Sequence, residues 1–243
     1  MRKTIFLWLL IAAGYFGFSQ EKTLVQSLLL KPKAGMKLQF ENSMKAHNQK
    51  FHSAANKVYV FEIVSGEKTG TFQVAWPPTS WAEMDNMKPN PAHDQDVQNT
   101  IAPKIEENEG MIFSRRVDSV THGDNDWSIP KTQVTTWHIK RGKTQDWLAW
   151  IKKIKIALDN TNDPRNSTIY TKLMAGTDAQ VILISRYKNG WKEMEPGYYT
   201  PLKDIYTKAY SAAEWDEYMK AFNEFVEKTE TYLRVYRADL SSK

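Results

Sequence analysis

Five histidines, His47, His52, His93, His122 and His138, are the residues of this chain best suited to proton transfer or metal ligation. None stands in a His-x-x-x-His or His-Glu-x-x-His spacing, which would put two ligands on one helix face, so no metal site is expected. Cysteine is absent, which removes thiolate ligands, nucleophilic thiols and disulfides together. No Gly-x-Ser-x-Gly elbow, glycine-rich phosphate loop or carboxylate pair at defined spacing occurs. Asp124, Asn125 and Asp126 offer oxygen ligands, but the twelve-residue calcium-loop pattern is missing. His47 falls on the apolar face of an expected helix and reads as a core-edge histidine with one partner. His52 and His122 lie near element ends and His93 beside prolines, where solvation is expected.

His138 is the most suggestive of the five. In Val134-Thr135-Thr136-Trp137-His138-Ile139, strand alternation puts Thr136 and His138 on one face and Trp137 on the other. If Trp137 packs under helices, His138 points between the sheets. Tyr170, Lys172 and Arg186 share an equivalent face, with Glu62, Trp76 and Arg115 from earlier strands. Such a set suits an anionic or aromatic ligand, or an axial haem ligand; the competing reading pairs the charges with one another, Glu62 with Lys172 for instance. Trp81-Ala82-Glu83-Met84-Asp85 and Trp191-Lys192-Glu193-Met194-Glu195 are alike. They read either as ligand-gating loops with tryptophan lids or as plugs at the ends of their own half-barrels.

The elements that position these residues occur twice. Residues 56–85 laid over residues 166–195, without a gap, match Asn56 with Asn166, Gly66 with Gly176, Trp81 with Trp191 and Glu83-Met84 with Glu193-Met194. Upstream, Gly35, Phe40, Met44, His47 and Phe51 fall on Gly142, Trp147, Ile151, Ile154 and Leu158, one face of a helix. Downstream, Val97, Ile101, Ile105, Arg116 and Asp118 fall on Tyr218, Phe222, Val226, Arg237 and Asp239. Insertions fall only in turn-rich stretches, around Asp163-Pro164 and at Pro196-Gly197 and Pro201. Each copy reads as strand, helix, strand, strand, helix, strand. The first has these over 25–31, 34–51, 58–64, 71–76, 94–108 and 111–120, the second over 133–140, 143–158, 168–174, 180–187, 213–230 and 232–240. Hairpin turns are expected at Ser65–Gly70 and Ala175–Ala179. The expected organisation is a signal segment 1–19, a first repeat 20–120, a linker 121–131 and a second repeat 132–243.

That order, with the first strand running through Lys31-Pro32-Lys33-Ala34-Gly35 into an amphipathic helix, resembles the dimeric α+β-barrel superfamily. The group includes antibiotic-biosynthesis-type monooxygenases and the chlorite-dismutase and dye-peroxidase haem proteins. The resemblance is topological and spans nearly the whole mature chain. It implies two ferredoxin-like β-α-β-β-α-β repeats packed as an intramolecular barrel, a monomeric pseudo-dimer, and transfers no catalytic residue.

Arg2-Lys3, an apolar run from Ile5 to Ala13 and small residues through Gly17-Phe18-Ser19 follow the order of a secretory signal, with cleavage expected after Ser19. The run is too short to span a bilayer. With no cysteine, the expectation is a bacterial periplasmic or secreted protein without membrane attachment after cleavage. Removing Arg2 and Lys3 from the 33 basic residues leaves 31 against 28 acidic, spread without blocks, so no nucleic-acid partner is expected. Nine Trp, eleven Tyr and ten Phe point to aromatic cores or a binding cleft. The leading expectation is a non-enzymatic barrel for a small, partly aromatic ligand, with no cofactor evident. The alternative is a cofactor-independent oxygenase or a haem protein.

Overall fold

The computed structural model describes residues 21–53, 56–174 and 179–243. The expected signal segment and most of the turn at Ala175–Ala179 lie outside them. The first copy contains β1 (Leu24–Pro32), α1 (Lys37–Phe51), β2 (Tyr59–Ile63), β3 (Phe72–Thr79), the short α2 (Trp81–Asp85), α3 (Pro91–Asp96) and β4 (Ile105–Arg116). The second contains β5 (Lys131–Ile139), α4 (Thr144–Asn160), β6 (Asn166–Lys172), β7 (Ala179–Tyr187), α5 (Leu202–Ala209), α6 (Ala212–Phe225) and β8 (Val226–Tyr236). The chain enters α1 and α4 through Gly35 and Gly142, whose φ angles of 75° and 80° favour a residue without Cβ. Among the described residues no helix is long and apolar enough to cross a membrane.

All eight strands close into one antiparallel barrel in the order β1-β3-β2-β8-β5-β7-β6-β4. Each copy thus contributes a ferredoxin-like sheet, and two short seams join them. At one seam Phe61, Glu62 and Ile63 pair with Tyr236, Val235 and Arg234; at the other Ser114, Arg115 and Arg116 pair with Lys172, Thr171 and Tyr170. Each seam pairs only three residues, so the first parts of β4 and β8 pair on one side alone, with β1 and β5.

Helices cover the outside of each half, and the apolar cores lie between helix and sheet. The first copy packs Leu30, Val60, Phe72 and Val74 of the sheet under Phe40 and Met44 of α1. The second packs Trp137, Ile139, Ile169 and Val181 under Trp147. Phe40 and Trp147 are both fully buried, as their matched positions predict. The cores also exchange chain ends. Val120, just beyond β4, sits in the second core, and Leu240, just beyond β8, sits in the first. Ser241 and Ser242 then accept hydrogen bonds from the Val60 and Val58 amides, both 2.9 Å.

Three sequence expectations change. First, the strand register of the repeat is one residue from the ungapped match. Leu30 pairs with Phe72, whereas its counterpart Trp137 pairs with Val181, so Phe72 corresponds to Val181 rather than Ile182. Because side chains alternate, that single step changes which face a residue occupies. Second, helices expected to reach residues 108 and 230 end earlier, and β4 and β8 begin at Ile105 and Val226. Glu106, Glu107, Glu227 and Lys228 occupy those strand starts, where charged side chains hide the period-2 signal. Third, the insertion after Pro201 carries α5, whose Ile205 packs on Ala157 and Leu158 of α4.

Candidate ligand-binding site

Trp137 packs outward under Trp147, so the alternate residues of β5, Thr132, Val134 and Thr136, face the barrel axis. They line a cavity of about 110 Å³ between the two sheets. Its apolar wall comes from Val25, Leu29, Phe61, Val134, Ile182 and Ile184. At one end stand the charged groups Lys68, Glu109, Lys172 and Glu230. The linker between copies closes the other end. Asn125 Oδ1 accepts hydrogen bonds from Arg186 Nη2 (2.6 Å), Tyr170 Oη (3.3 Å) and Thr168 Oγ1 (3.4 Å), and Arg186 Nε donates to the Asp126 carbonyl at 3.0 Å. Trp127 follows and lines the cavity.

Two arginines lie inside the barrel on either side of Thr132, which pairs with Arg186 on β7 and Arg234 on β8. They are 3% and 4% exposed. Among the described residues neither has a carboxylate within ion-pair distance. Arg186 is held by Asn125, Thr168 and the Asp126 carbonyl. Arg234 donates from Nε to Thr132 Oγ1 at 2.9 Å and from Nη1 to Gln73 Oε1, and its guanidinium lies 4.0 Å from the Phe61 ring centre. That engages two of its five N–H donors. Burial pushes the Arg234 pKa down to about 10, Tyr232 opposes the shift, and Arg186 adds to it. Burial likewise lowers the Arg186 pKa, against the neighbouring Tyr170. Burial raises the pKa of Tyr170 and Tyr232, so both phenols stay neutral at pH 7. The Trp127 Nε1 hydrogen is buried without an acceptor among the described residues.

Of the residues singled out in the sequence, Tyr170, Lys172 and Arg186 line this cavity together. His138 lies next toward the charged end, beyond Thr136, with Nε2 3.1 Å from Glu230 Oε1. The structure brings the other candidates elsewhere. Trp76 packs on the outer core of the first copy, the consequence of the one-residue register step. Trp81 packs against Phe113 at 5.5 Å and Trp191 against Tyr187 at 5.9 Å, both away from the cavity lining. Glu62 pairs with Lys37 (2.5 Å) and Arg237 (2.6 Å) rather than with Lys172, and Arg115 is exposed. His52 is 7% exposed rather than solvated. Asn166 is buried and donates from Nδ2 to Asp124 Oδ1 at 2.6 Å. Sequence reading missed Arg234, Tyr232 and Trp127. A lone charge inside the apolar strand Tyr232-Leu233-Arg234-Val235-Tyr236 is the signal that marks the first.

Haem, which the resemblance brings to mind, does not fit these residues. Pockets for drug-sized ligands run from about 300 to 1,000 Å³, and the barrel cavity is far smaller. A second cavity of about 230 Å³ lies between α4 and its sheet. Its one imidazole, His122, has both ring nitrogens engaged, at 2.7 Å from Asp159 Oδ1 and 2.9 Å from the Asp163 carbonyl.

No protein-family model and no curated protein matches this chain. Solved structures do. A proposed monooxygenase from Lactobacillus acidophilus is 11% identical with a TM-score of 0.58, over 92% of this chain and 97% of its own. A proposed monooxygenase from Fusobacterium nucleatum is 12% identical with a TM-score of 0.57, over 89% and 93%. A variant chlorite dismutase from Candidatus Nitrospira defluvii is 8% identical with a TM-score of 0.51, over 90% and 94%. These likenesses are of fold, and with the closed eight-stranded topology they show that the chain is a dimeric α+β barrel made within one polypeptide.

Proposed function

We propose that this protein is an exported binding protein that holds a small carboxylate, or an oxyanion of similar size, inside the barrel. One observation carries the reading. Arg234 is a buried cation whose partners are all neutral, with N–H donors to spare. A buried charge without a counter-ion is costly, and an incoming anion removes that cost through charge-assisted hydrogen bonds. Trp127 Nε1 supplies a second donor, and Phe61, Val134 and Ile184 receive the hydrocarbon end. A cavity of about 110 Å³ limits the ligand to a small molecule. The neighbours' oxygenase chemistry would need a proton acceptor at a substrate carbon. The carboxylates of the cavity, Glu109 and Glu230, stand at its charged end, while the end around Arg234 presents donors, which favours anion binding there. Export rests on the basic, apolar and small-residue order of the first nineteen residues.

The test is a calorimetric titration of the mature protein with a series from formate to benzoate. Binding should peak at an intermediate size and vanish in Arg234→Met. Equal affinity of Arg234→Met and wild type for every member, or no binding of any, would overturn the proposal.

A further inference from the structure

The first copy carries a second constellation, far from the arginines in sequence and built on the outer helices. His47 lies within α1, His52 is the residue that caps its C-terminal end, and His93 lies in α3. One ring nitrogen of each lies within 4.8 Å of the other two. The ring centres are 4.6 Å apart for His47 and His93, 5.3 Å for His52 and His93, and 5.5 Å for His47 and His52. His47 and His52 are buried, and His93 keeps 28% of its side chain exposed.

The hydrogen bonds decide which nitrogens are available. His47 Nδ1 is 2.8 Å from Asp96 Oδ2, His52 Nδ1 is 3.1 Å from the Asn56 carbonyl, and His93 Nδ1 is 3.0 Å from Asp94 Oδ1. Facing an oxygen, each Nδ1 carries its hydrogen and donates it, so the lone pair of a neutral ring sits on Nε2. All three rings therefore share one tautomer, fixed from outside by a carboxylate or carbonyl. That is the outer-shell arrangement that orients imidazole ligands around a metal. Asp96 is itself held by Thr100 Oγ1 at 3.3 Å and Lys50 Nζ at 3.4 Å.

Packing alone does not call for this arrangement. At the position matching His47 the second copy has Ile154, which packs on the Ala157, Leu158 and Ile205 cluster. The fold closes that layer with aliphatic side chains in one copy and with imidazoles in the other.

We propose that His47, His52 and His93 form a three-histidine site for a divalent first-row metal, zinc foremost. Imidazole nitrogens suit zinc, copper and nickel. Tetrahedral zinc at 2.0–2.1 Å sets its ligand nitrogens about 3.3 Å apart, and ring nitrogens of the three histidines already lie within 4.8 Å of one another, so the rings move together on binding. Three protein ligands leave the fourth position to water, on the side where His93 meets solvent. The metal would tie the C-terminal end of α1 to α3.

The test uses tag-free mature protein, treated with EDTA, desalted and titrated with zinc chloride and separately with cobalt chloride. The expected result is one equivalent bound, d–d absorption of four-coordinate cobalt in the visible, and a melting temperature several degrees higher at saturating zinc. His93→Ala should weaken zinc binding at least about 100-fold while melting like wild type in EDTA. Asp96→Asn should weaken it about 10- to 100-fold, and His122→Ala should leave it unchanged. Should His93→Ala fail to fold by circular dichroism, His93→Gln takes its place with the same expected loss. Less than half an equivalent bound, or wild-type affinity in the folded His93 variant, would overturn the proposal. Carboxylate binding in the barrel is measured separately, so either site can fail without the other.

Discussion

Replacing Arg234 with methionine is expected to make the protein more stable and unable to bind anions. Burial lowers the Arg234 pKa from 12.5 to about 10. At about 1.4 kcal/mol per unit, keeping the guanidinium charged in the fold costs roughly 3 kcal/mol relative to the unfolded chain. Methionine forfeits the hydrogen bonds to Thr132 and Gln73, about 1 kcal/mol each. Its thioether against Phe61 replaces most of the cation–π contact. The net gain is about 1 kcal/mol, which for a chain of this size raises the melting temperature by about 2–4 °C. The sign holds across the accessible pH range. A base whose pKa is depressed by folding bears its full penalty below the folded value, and the penalty fades only as pH rises from about 10 toward 12.5. Differential scanning calorimetry of both proteins at pH 6, 7.5 and 9, without ligand, should show a constant advantage for the variant. A variant melting 5 °C or more below wild type would mean that the guanidinium holds the barrel together, and would remove the physical basis for the anion site.

Trp127→Phe keeps a smaller aromatic ring and removes a donor that has no acceptor among the described residues; carboxylate binding should weaken about 5- to 10-fold, measured by the same calorimetric titration. Trp147→Ala deletes a fully buried ring stacked on Trp150 at 4.4 Å and edge-on to Trp137 at 4.9 Å, and should cost about 3–5 kcal/mol in urea unfolding. Gly66→Ala puts a Cβ 3.1 Å from the Thr231 carbonyl at φ +83°; a loss of about 1–3 kcal/mol is expected, measured by the same unfolding. Arg237→Ala releases Glu41, Glu62 and Asp239. Hydrogen bonding to Arg237 is the main cause that holds the Asp239 pKa below its ordinary value, against a smaller opposing effect of burial. That stabilisation is present above the ordinary carboxylate range and is lost as pH falls through it, so the gap in urea midpoint between wild type and variant should narrow from pH 7 to pH 3. A gap that does not change with pH would argue against the ion network.

The repeat was legible because the apolar spacing of α1 and α4 survives divergence, as Phe40 and Trp147 both confirm by complete burial. Its register was not. With few identities to anchor it, the match slipped by one residue in the middle strands, and period-2 alternation turned that slip into the wrong face for Trp76. The strand starts of β4 and β8 were hidden by Glu106, Glu107, Glu227 and Lys228, whose polarity reads as a helix surface. The cavity lining was half visible: alternation on β5 assigns Thr136 inward and Trp137 outward, but nothing local brings Trp127 of the linker into the barrel. The three histidines could not be grouped by spacing, since His93 reaches His47 and His52 only through the turn of α3, which begins at Pro91 with Asn90 as its cap.

The exchanged chain ends give the two copies one fate. Leu240 finishes the core under α1, and Ser241 and Ser242 accept the amide hydrogens of Val60 and Val58. The first copy therefore cannot complete its core until residue 242 has left the ribosome, even though its own sequence was finished near residue 120. Unfolding should correspondingly be a single cooperative transition, because neither half keeps its core when the other melts. For a chain proposed to cross a membrane before it folds, that dependence acts as a delay: the first copy lacks its complete core until the second has followed it.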